Sequence, residues 1–170
     1  EHLNIPLKIV TTPEFDSVPG KLLELARQTG CSALCFNREY EWNEARRDEA
    51  VRDTFEDAGL RVRSFTDQTL WEPGDVRTNS GGYYSVYSPF KRKCYERWNE
   101  GDVPQIVPSP KKQPKIDVES DDIPQAVEGF RREDRWADLW AAGEDAANGR
   151  LGAFIGNKLE AYKDDRDLRR

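Results

Sequence analysis

Residues 32–65 read SALCFNREYEWNEARRDEAVRDTFEDAGLRVRSF, and this stretch decides the fold class. Its first five residues, 32–36, form a compact apolar run between a glycine and a polar stretch, which predicts a strand buried on both faces of a parallel sheet. Residues 43–58 carry a helical pattern, and residues 60–65 alternate apolar and basic side chains as a second strand does. Strand, helix and strand in this order indicate a β–α–β unit with parallel strands.

Helix signals stand on both sides of the first predicted strand. Downstream, Val51 and Phe55 recur at helical spacing, and Gly59 follows as a C-terminal stop. Upstream, Pro19 suits the first turn of another helix, and Gly30 supplies its stop. We therefore expect two helices that flank the sheet.

A further short strand is predicted before the first helix, where residues 5–10 read IPLKIV. The alternation of strands and helices stops near Asp67, and Pro89 then opens a helix that Gly101 ends. The last helix starts near Glu144 and carries an apolar stripe. The fold class is thus α/β: a partial Rossmann-like parallel sheet with flanking helices, an extended connector and a C-terminal helix.

Five prolines between residues 102 and 125 set the domain division, because such a density prevents a regular helix or a central strand. We predict an α/β domain over residues 1–101, an extended Pro-rich connector over residues 102–142 and a helix-bearing segment over residues 143–170.

Composition narrows the function classes. The net charge is −6, so the chain by itself is a poor nucleic-acid binder, because phosphate contacts need a Lys/Arg surface. A single histidine, His2, excludes His-rich zinc sites, and we expect no metal site. The odd cysteine count argues against a disulfide framework, and Cys31 and Cys35 are expected to be buried thiols in a reducing, cytoplasmic setting. No apolar run approaches the ~20 residues that cross a bilayer.

Several stretches carry a family resemblance through their order and spacing. They are NREYEWNEARRD at 37–48, WEPG at 71–74, GGYYSVYSPF at 81–90, GEDAA at 143–147 and YKDDRD at 162–167. Together they make nearly the whole chain similar to the DNA photolyase and cryptochrome family. The family's opening-strand motif, of the Trp-Phe-Arg-Arg-Asp type, and its phosphate-cradling Gly-Thr-Ser-Arg stretch are not present, so we expect a fragment.

The resemblance implies the activity of the parent protein, a deoxyribodipyrimidine photolyase. In that family a folate antenna passes absorbed light energy to reduced FAD, whose electron splits a cyclobutane pyrimidine dimer in a lesion flipped out of the duplex. The full-length protein is expected to bind FAD, methenyltetrahydrofolate and UV-damaged DNA. The fragment is expected to be inactive alone, with no catalytic residue of its own and no cofactor bound.

Site residues follow from the same resemblance. Asn43 and Glu44 match an Asn–Glu pair that holds the folate antenna, since an amide and a carboxylate can pair with ring N–H groups. The alternative is a plain helix start, with Asn as N-cap and Glu in the first turn. Tyr162 matches a tyrosine that contacts FAD, or is an ordinary residue of an amphipathic stripe. Arg166 matches a residue that touches DNA phosphate, or pairs with a neighbouring aspartate.

Two other functions stay open at this point. The domain could belong to a cryptochrome-like blue-light photoreceptor, or it could be a stand-alone nucleotide-binding module with a pocket at the carboxyl ends of the strands. We expect no membrane partner. Self-association through an unpaired sheet edge or an exposed apolar face is also expected.

Overall fold

The computed structural model describes residues 3–130 and 135–166, which fall into two compact units, residues 1–121 and 122–170. The first unit contains, in order, α1 (Val18–Gln28), β1 (Ala33–Asn37), α2 (Trp42–Asp57), β2 (Arg61–Phe65) and α3 (Tyr87–Asn99). The second contains α4 (Arg135–Leu139), α5 (Glu144–Asn157) and α6 (Tyr162–Asp165). The predicted α/β class with flanking helices is confirmed. The predicted division at residues 101 and 142 stays a prediction.

The sheet consists of β1 and β2, which run parallel with Ala33 opposite Arg61 and Asn37 opposite Phe65. Side chains on both strands alternate between half-buried and exposed, as the period of two along a strand requires. The prediction that the first strand is buried on both faces is therefore wrong. Helices α1 and α2 pack together against one face, and the residues of β1 that point the other way are exposed.

The core of the first unit lies between these two helices and the sheet. Phe55 is its most buried side chain, with 1% of its surface exposed, and it clusters with Val51 and Ala26. Leu34 and Val62 supply the covered face of the sheet. The helical spacing of apolar residues in α1 and α2 and the alternation in β1 and β2 thus bring these side chains together in one small apolar cluster.

Helices α1 and α2 each end just before a predicted glycine. Gly30 and Gly59 have φ values of +67° and +75°, a region that glycine enters without steric cost. After α2, the Gly59 N–H donates to Glu56 O at 2.9 Å and the Leu60 N–H donates to Phe55 O at 2.9 Å. This paired arrangement is a Schellman motif, and it turns the chain directly into β2.

The predicted strand over residues 5–10 does not form, and this prediction was wrong. The segment is extended but bonds to the connector instead of the sheet. The Gln113 N–H donates to Leu3 O at 3.1 Å, and the Asp121 N–H donates to Leu7 O at 2.8 Å. Since a continuous apolar run looks the same in either setting, its pattern could not show which partner it would choose.

The described part of the connector, residues 102–130, contains no helix or strand, as the proline density predicts. Farther on, the helix predicted from Glu144 is interrupted: α5 ends at Asn157, and α6 begins only at Tyr162. Gly156 and Asn157 are weak helix formers, which accounts for the break. α4 lies inside the stretch that was predicted to be connector.

The cysteines correct another prediction. Cys31 and Cys35 are exposed, and Cys94 is half-buried, with all three thiols free. Cys35 is exposed because it lies on the uncovered face of β1. In the described ranges, no helix has both the length and the apolar character needed to cross a membrane.

Candidate functional site

The predicted Asn–Glu pair lies at the start of α2. Glu41 is the N-cap, with extended φ and ψ and no capping hydrogen bond from its side chain, so Asn43 is the second helical residue. The N-cap alternative for Asn43 is therefore not what the structure has, whereas Glu44 does lie in the first turn. Neither side chain makes a hydrogen bond or ion pair with another described residue. Both are therefore available to a ligand.

An open groove of about 310 Å³ runs beside this helix start. Asn43, Arg46 and Ala50 line one wall, at i, i+3 and i+7, which places them on one face of α2. The opposite wall consists of Glu14, Phe15 and Asp16, at the start of the short 3-10 turn Phe15–Ser17. Residues 28 positions apart in the chain therefore meet at this groove.

Glu44 does not line this groove. One residue after Asn43, it is rotated by about 100° around the helix, onto the side that continues through Asp48 and Val51 to the core. It is half-buried, whereas Asn43 is exposed. The structure thus places the two members of the pair next to each other but facing different surroundings.

Arg47 lies between the groove and the side of α2 that faces the core. Its guanidinium contacts Glu39 at 2.6 Å and Asp48 at 2.7 Å, and it lies 5.7 Å from the centre of the Phe15 ring. Partial burial works against the charge, but the hydrogen bonds to Glu39 and Asp48 outweigh it and raise the pKa of Arg47 above its ordinary value. Arg47 thus stays positively charged, and the carboxylates of Glu39 and Asp48 already balance its charge.

A second polar cluster lies where both strands end. Glu72 receives hydrogen bonds from Tyr40 Oη at 3.1 Å and from the Thr66 hydroxyl, and its carboxylate lies 3.0 Å from Arg38 Nη2. Arg38 also donates to Thr66 Oγ1 at 2.9 Å. Hydrogen bonding from Thr66 and Tyr40, together with the charge of Arg38, holds the pKa of Glu72 below its ordinary value against the effect of burial.

The cluster joins the strand ends to a tight turn. Pro73 and Gly74 are the central residues of the turn, with φ of +94° at Gly74, and the Asp75 N–H donates to Glu72 O at 3.0 Å. This is the geometry of a type II turn. The WEPG stretch therefore holds Glu72 at the carboxyl edge of the sheet, where α/β folds commonly bind ligands.

The two remaining predicted site residues lie in the second unit. Tyr162 begins α6, and its ring meets Phe154 edge-on at 5.7 Å, while 51% of the side chain is exposed. Arg166 is exposed, and its backbone N–H donates to Tyr162 O at 3.0 Å. Asp167, the last residue of the predicted motif, lies outside the described residues.

Sequence reasoning missed several residues of these sites. Phe15 and Glu72 have no local pattern that marks them, and each reaches its partners only through tertiary contacts. Arg38 and Arg47 stood within the motif at 37–48 without a role. No group of three or more His, Cys, Asp or Glu could hold a metal ion in residues 3–130 and 135–166.

Comparison with known proteins shows which family the chain matches. A model of the DNA photolyase family matches residues 1–114. A curated deoxyribodipyrimidine photo-lyase of Agrobacterium fabrum is 35% identical over 151 residues, which are 86% of this chain and 31% of that protein. Cryptochrome-1 of Arabidopsis thaliana is 27% identical over 170 aligned positions, covering 93% of this chain and 23% of that protein.

A solved structure shares the architecture. The crystal structure of a bacterial class III photolyase from Agrobacterium tumefaciens matches with a TM-score of 0.57 and 30% identity, over 88% of this chain and 32% of that one. The chain therefore spans about a third or less of the length of these relatives.

Proposed function

This chain belongs to the DNA photolyase family, and we propose that it is the antenna-side part of a deoxyribodipyrimidine photolyase, a lyase that repairs UV-damaged DNA with light. The observation that carries the proposal is the family match over residues 1–114. It is joined by an Asn–Glu pair at the start of α2 whose side chains have no hydrogen-bond or ion-pair partner among the described residues. The photo-lyases among its relatives bear that activity in their names.

We propose that Asn43 and Glu44 bind a methenyltetrahydrofolate antenna. The donor set fits, because a free amide can both donate and accept, and a free carboxylate accepts from ring N–H groups. Asn43 and Glu44 would hold the ring through these hydrogen bonds. When bound, the folate would supply near-UV absorption, and the protein would orient it.

Titration of the whole protein with methenyltetrahydrofolate tests this role. We expect the present chain to be colourless as purified, and the whole protein to give a saturable shift of the folate absorption band on titration. Asn43→Ala should weaken the apparent affinity about tenfold, the effect of losing a hydrogen bond and the fit it provides. A titration without saturation would contradict the proposal.

We further propose FAD as the cofactor of the whole protein, with Tyr162 as a residue that contacts it and Arg166 as a DNA-phosphate contact. The aromatic ring of Tyr162 is half-exposed at a helix start, and Arg166 lies one turn later.

Repair of UV-irradiated oligothymidine by the whole protein under blue light tests the activity. An Arg166→Gln variant should bind DNA more weakly, with a salt dependence reduced by about one phosphate contact.

A cryptochrome-like photoreceptor is the second candidate, and the similarity to Cryptochrome-1 favours it. The same repair assay separates the two functions. A whole protein that binds its flavin but leaves the dimers intact would support the photoreceptor.

We propose the predicted domain division for the whole protein: an antenna domain over residues 1–101, a connector over 102–142 and a segment over 143–170 that leads to the flavin domain. The lack of helix and strand in described residues 102–130 supports the connector. Three free thiols suit a cytoplasmic location. Limited proteolysis should cleave first within residues 102–130.

Self-association is also proposed, because β1 pairs only with β2 among the described strands and one face of the sheet is uncovered. Phe65, on that face, is 48% exposed. Light scattering at increasing concentration should show a rising mean mass, and a constant monomer mass would contradict this proposal.

A further inference from the structure

Helix α3 carries aromatic side chains that the first unit leaves exposed. Among the described residues of α3, Tyr87–Asn99, none is buried. Tyr87, Tyr95 and Trp98 are 71%, 59% and 51% exposed. Their spacing of eight and then three residues places them on one face of the helix. Contiguous exposed rings of this kind mark an interaction surface.

This face of α3 lines a groove of about 390 Å³, which we call the aromatic groove. Leu70 and Trp71 complete its lining from outside the helix. The Trp71 indole is fixed, because its Nε1–H donates to Asp102 O at 2.9 Å and the Arg97 guanidinium lies 4.9 Å from its ring centre. A ring that is already held in place loses little entropy when a ligand stacks in the groove.

The charge beside these rings is positive and unpaired. Within the described part of the chain, Lys91 is the one charged residue that lines the aromatic groove. Its ammonium lies 5.7 Å from the centre of the Tyr95 ring and pairs with no carboxylate of a described residue. Arg92, the next residue, is exposed and likewise has no hydrogen-bond or ion-pair partner among them. Both cations are therefore available to an anionic partner.

Arg92 also borders a second, polar groove on the neighbouring side of α3. The hydroxyls of Thr78 and Ser80 lie 3.0 Å apart in the lining of that groove. Its one lining carboxylate in the described ranges, on Glu96, is paired with Lys93 at 3.2 Å. Guanidinium and hydroxyl groups are common donors to phosphate oxygens. An anionic chain that leaves the aromatic groove over Arg92 would thus meet further donors.

The net charge of −6 does not oppose such binding at α3, because the charge is unevenly distributed. Residues 91–97 carry four basic side chains and one carboxylate. At physiological ionic strength, charges farther away than about 8 Å are largely screened. The local excess of cations therefore decides what this surface attracts.

We propose that α3 binds single-stranded nucleic acid, with a base stacked in the aromatic groove against Tyr95 and Trp98 and the adjoining phosphates held by Lys91 and Arg92. Exposed aromatic rings flanked by cations are how proteins bind single strands without sequence preference. Charge favours this occupant over an apolar protein segment, which would leave both cations without a counter-charge. The site lies in the first unit and does not depend on the proposed roles of Asn43, Glu44 or Arg166.

Photocrosslinking of the whole protein locates the bound strand. The probe is an undamaged oligothymidine of about ten nucleotides, within the usual site size of single-strand binding, with one thymidine replaced by 5-iododeoxyuridine. We expect mass spectrometry to find the crosslink within residues 87–98. Because the probe contains no pyrimidine dimer, the result is independent of the proposed repair activity.

Trp98→Leu tests the stacking, because leucine remains apolar and lacks the aromatic face. We expect this variant of the whole protein to bind the undamaged strand about tenfold more weakly in fluorescence anisotropy titrations, the effect of losing one stacked base. Trp136→Leu is the matched control: Trp136 is 50% exposed, against 51% for Trp98, and also lies beside an arginine. It should leave the affinity unchanged. Thermal unfolding should show that both variants are folded.

The salt dependence of binding tests the two cations. Lys91→Ala and Arg92→Ala should each lower the slope of log affinity against log salt concentration by about 0.7, the value for one phosphate contact on a single strand. Lys111→Ala is the control, since Lys111 is exposed and has no ion-pair partner among the described residues. It should leave the slope unchanged.

Three results would overturn the proposal. They are crosslinks that fall only outside residues 87–98, equal affinities of Trp98→Leu and Trp136→Leu, and salt slopes that neither α3 cation changes. The same results are expected if another protein segment covers α3, so they would identify that segment as the occupant. Failure of dimer repair by the whole protein would count against the proposed function and leave this site standing.

Discussion

Replacing Glu72 by Gln should destabilise the first unit by about 2–3 kcal/mol. The carboxylate accepts from Tyr40 at 3.1 Å and from Thr66, and it lies 3.0 Å from Arg38. A hydrogen bond to a charged acceptor contributes about 1.5–3 kcal/mol, roughly twice a neutral one, so each of the two weakens by about 1 kcal/mol. The ion pair adds less than about 1 kcal/mol, because 31% of Glu72 and 38% of Arg38 are exposed and solvent screens the charges.

The effect should depend on pH in a defined direction. Hydrogen bonding from Thr66 and Tyr40, with the charge of Arg38, keeps the pKa of Glu72 lower in the folded chain than in the unfolded chain. The stabilisation is therefore complete above the unfolded pKa, about 4.3 for an ordinary Glu, and is lost as the pH falls through the lower folded value. The difference between wild type and Glu72→Gln should shrink over that acidic interval.

Circular dichroism melts of both proteins at neutral and acidic pH provide the assay. The expected loss corresponds to a fall in Tm of about 4–12 °C at neutral pH, since each kcal/mol is worth about 2–4 °C in a chain of this size. Glu49→Gln is the matched control, since Glu49 is exposed on α2 and has no hydrogen-bond or ion-pair partner among the described residues. Equal melting temperatures of Glu72→Gln and wild type, or a difference that persists at low pH, would show that the carboxylate of Glu72 does not stabilise the fold.

Three other predictions follow from burial and contacts. Phe55→Ala should cost about 3–5 kcal/mol and lower the urea midpoint of unfolding, because a ring 1% exposed leaves a cavity in the core. A thiol reagent should label Cys31 and Cys35 quickly and the half-buried third cysteine slowly, and uniformly slow labelling would contradict the exposed sheet face. Asp121→Asn should speed amide exchange in the N-terminal segment, because Asp121 binds Lys8 and a backbone N–H there. Unchanged exchange would show that other contacts hold that segment.

Local patterns were sufficient for much of the fold. The spacing of Val51 and Phe55 predicted the buried face of α2, and both residues lie in the core. Gly30 and Gly59 were predicted as helix stops, and both adopt positive φ. The strand at Arg61–Phe65 alternates as predicted. These features depend on neighbours within one or two turns of chain, so the sequence alone could determine them.

Candidate sites were predictable only by position along the chain. The motif around Asn43 and Glu44 pointed to the start of α2, but a motif does not say which way each side chain faces. The groove puts Asn43 opposite Phe15 and leaves Glu44 outside. Such a juxtaposition depends on how α2 is rotated against the preceding turn, which packing of the core sets.

The α/β class, the helix ends, the strand alternation and the family resemblance could thus all be predicted from the amino-acid sequence. Three features became visible only in the folded chain: residues 5–10 bond to the connector, one face of the sheet is uncovered, and Glu72 joins the two strand ends. These features were not predictable because the type of a side chain, apolar or charged, shows only whether it tends to be buried or paired. Which distant partner satisfies that preference is settled by the competition among all the segments that could reach it.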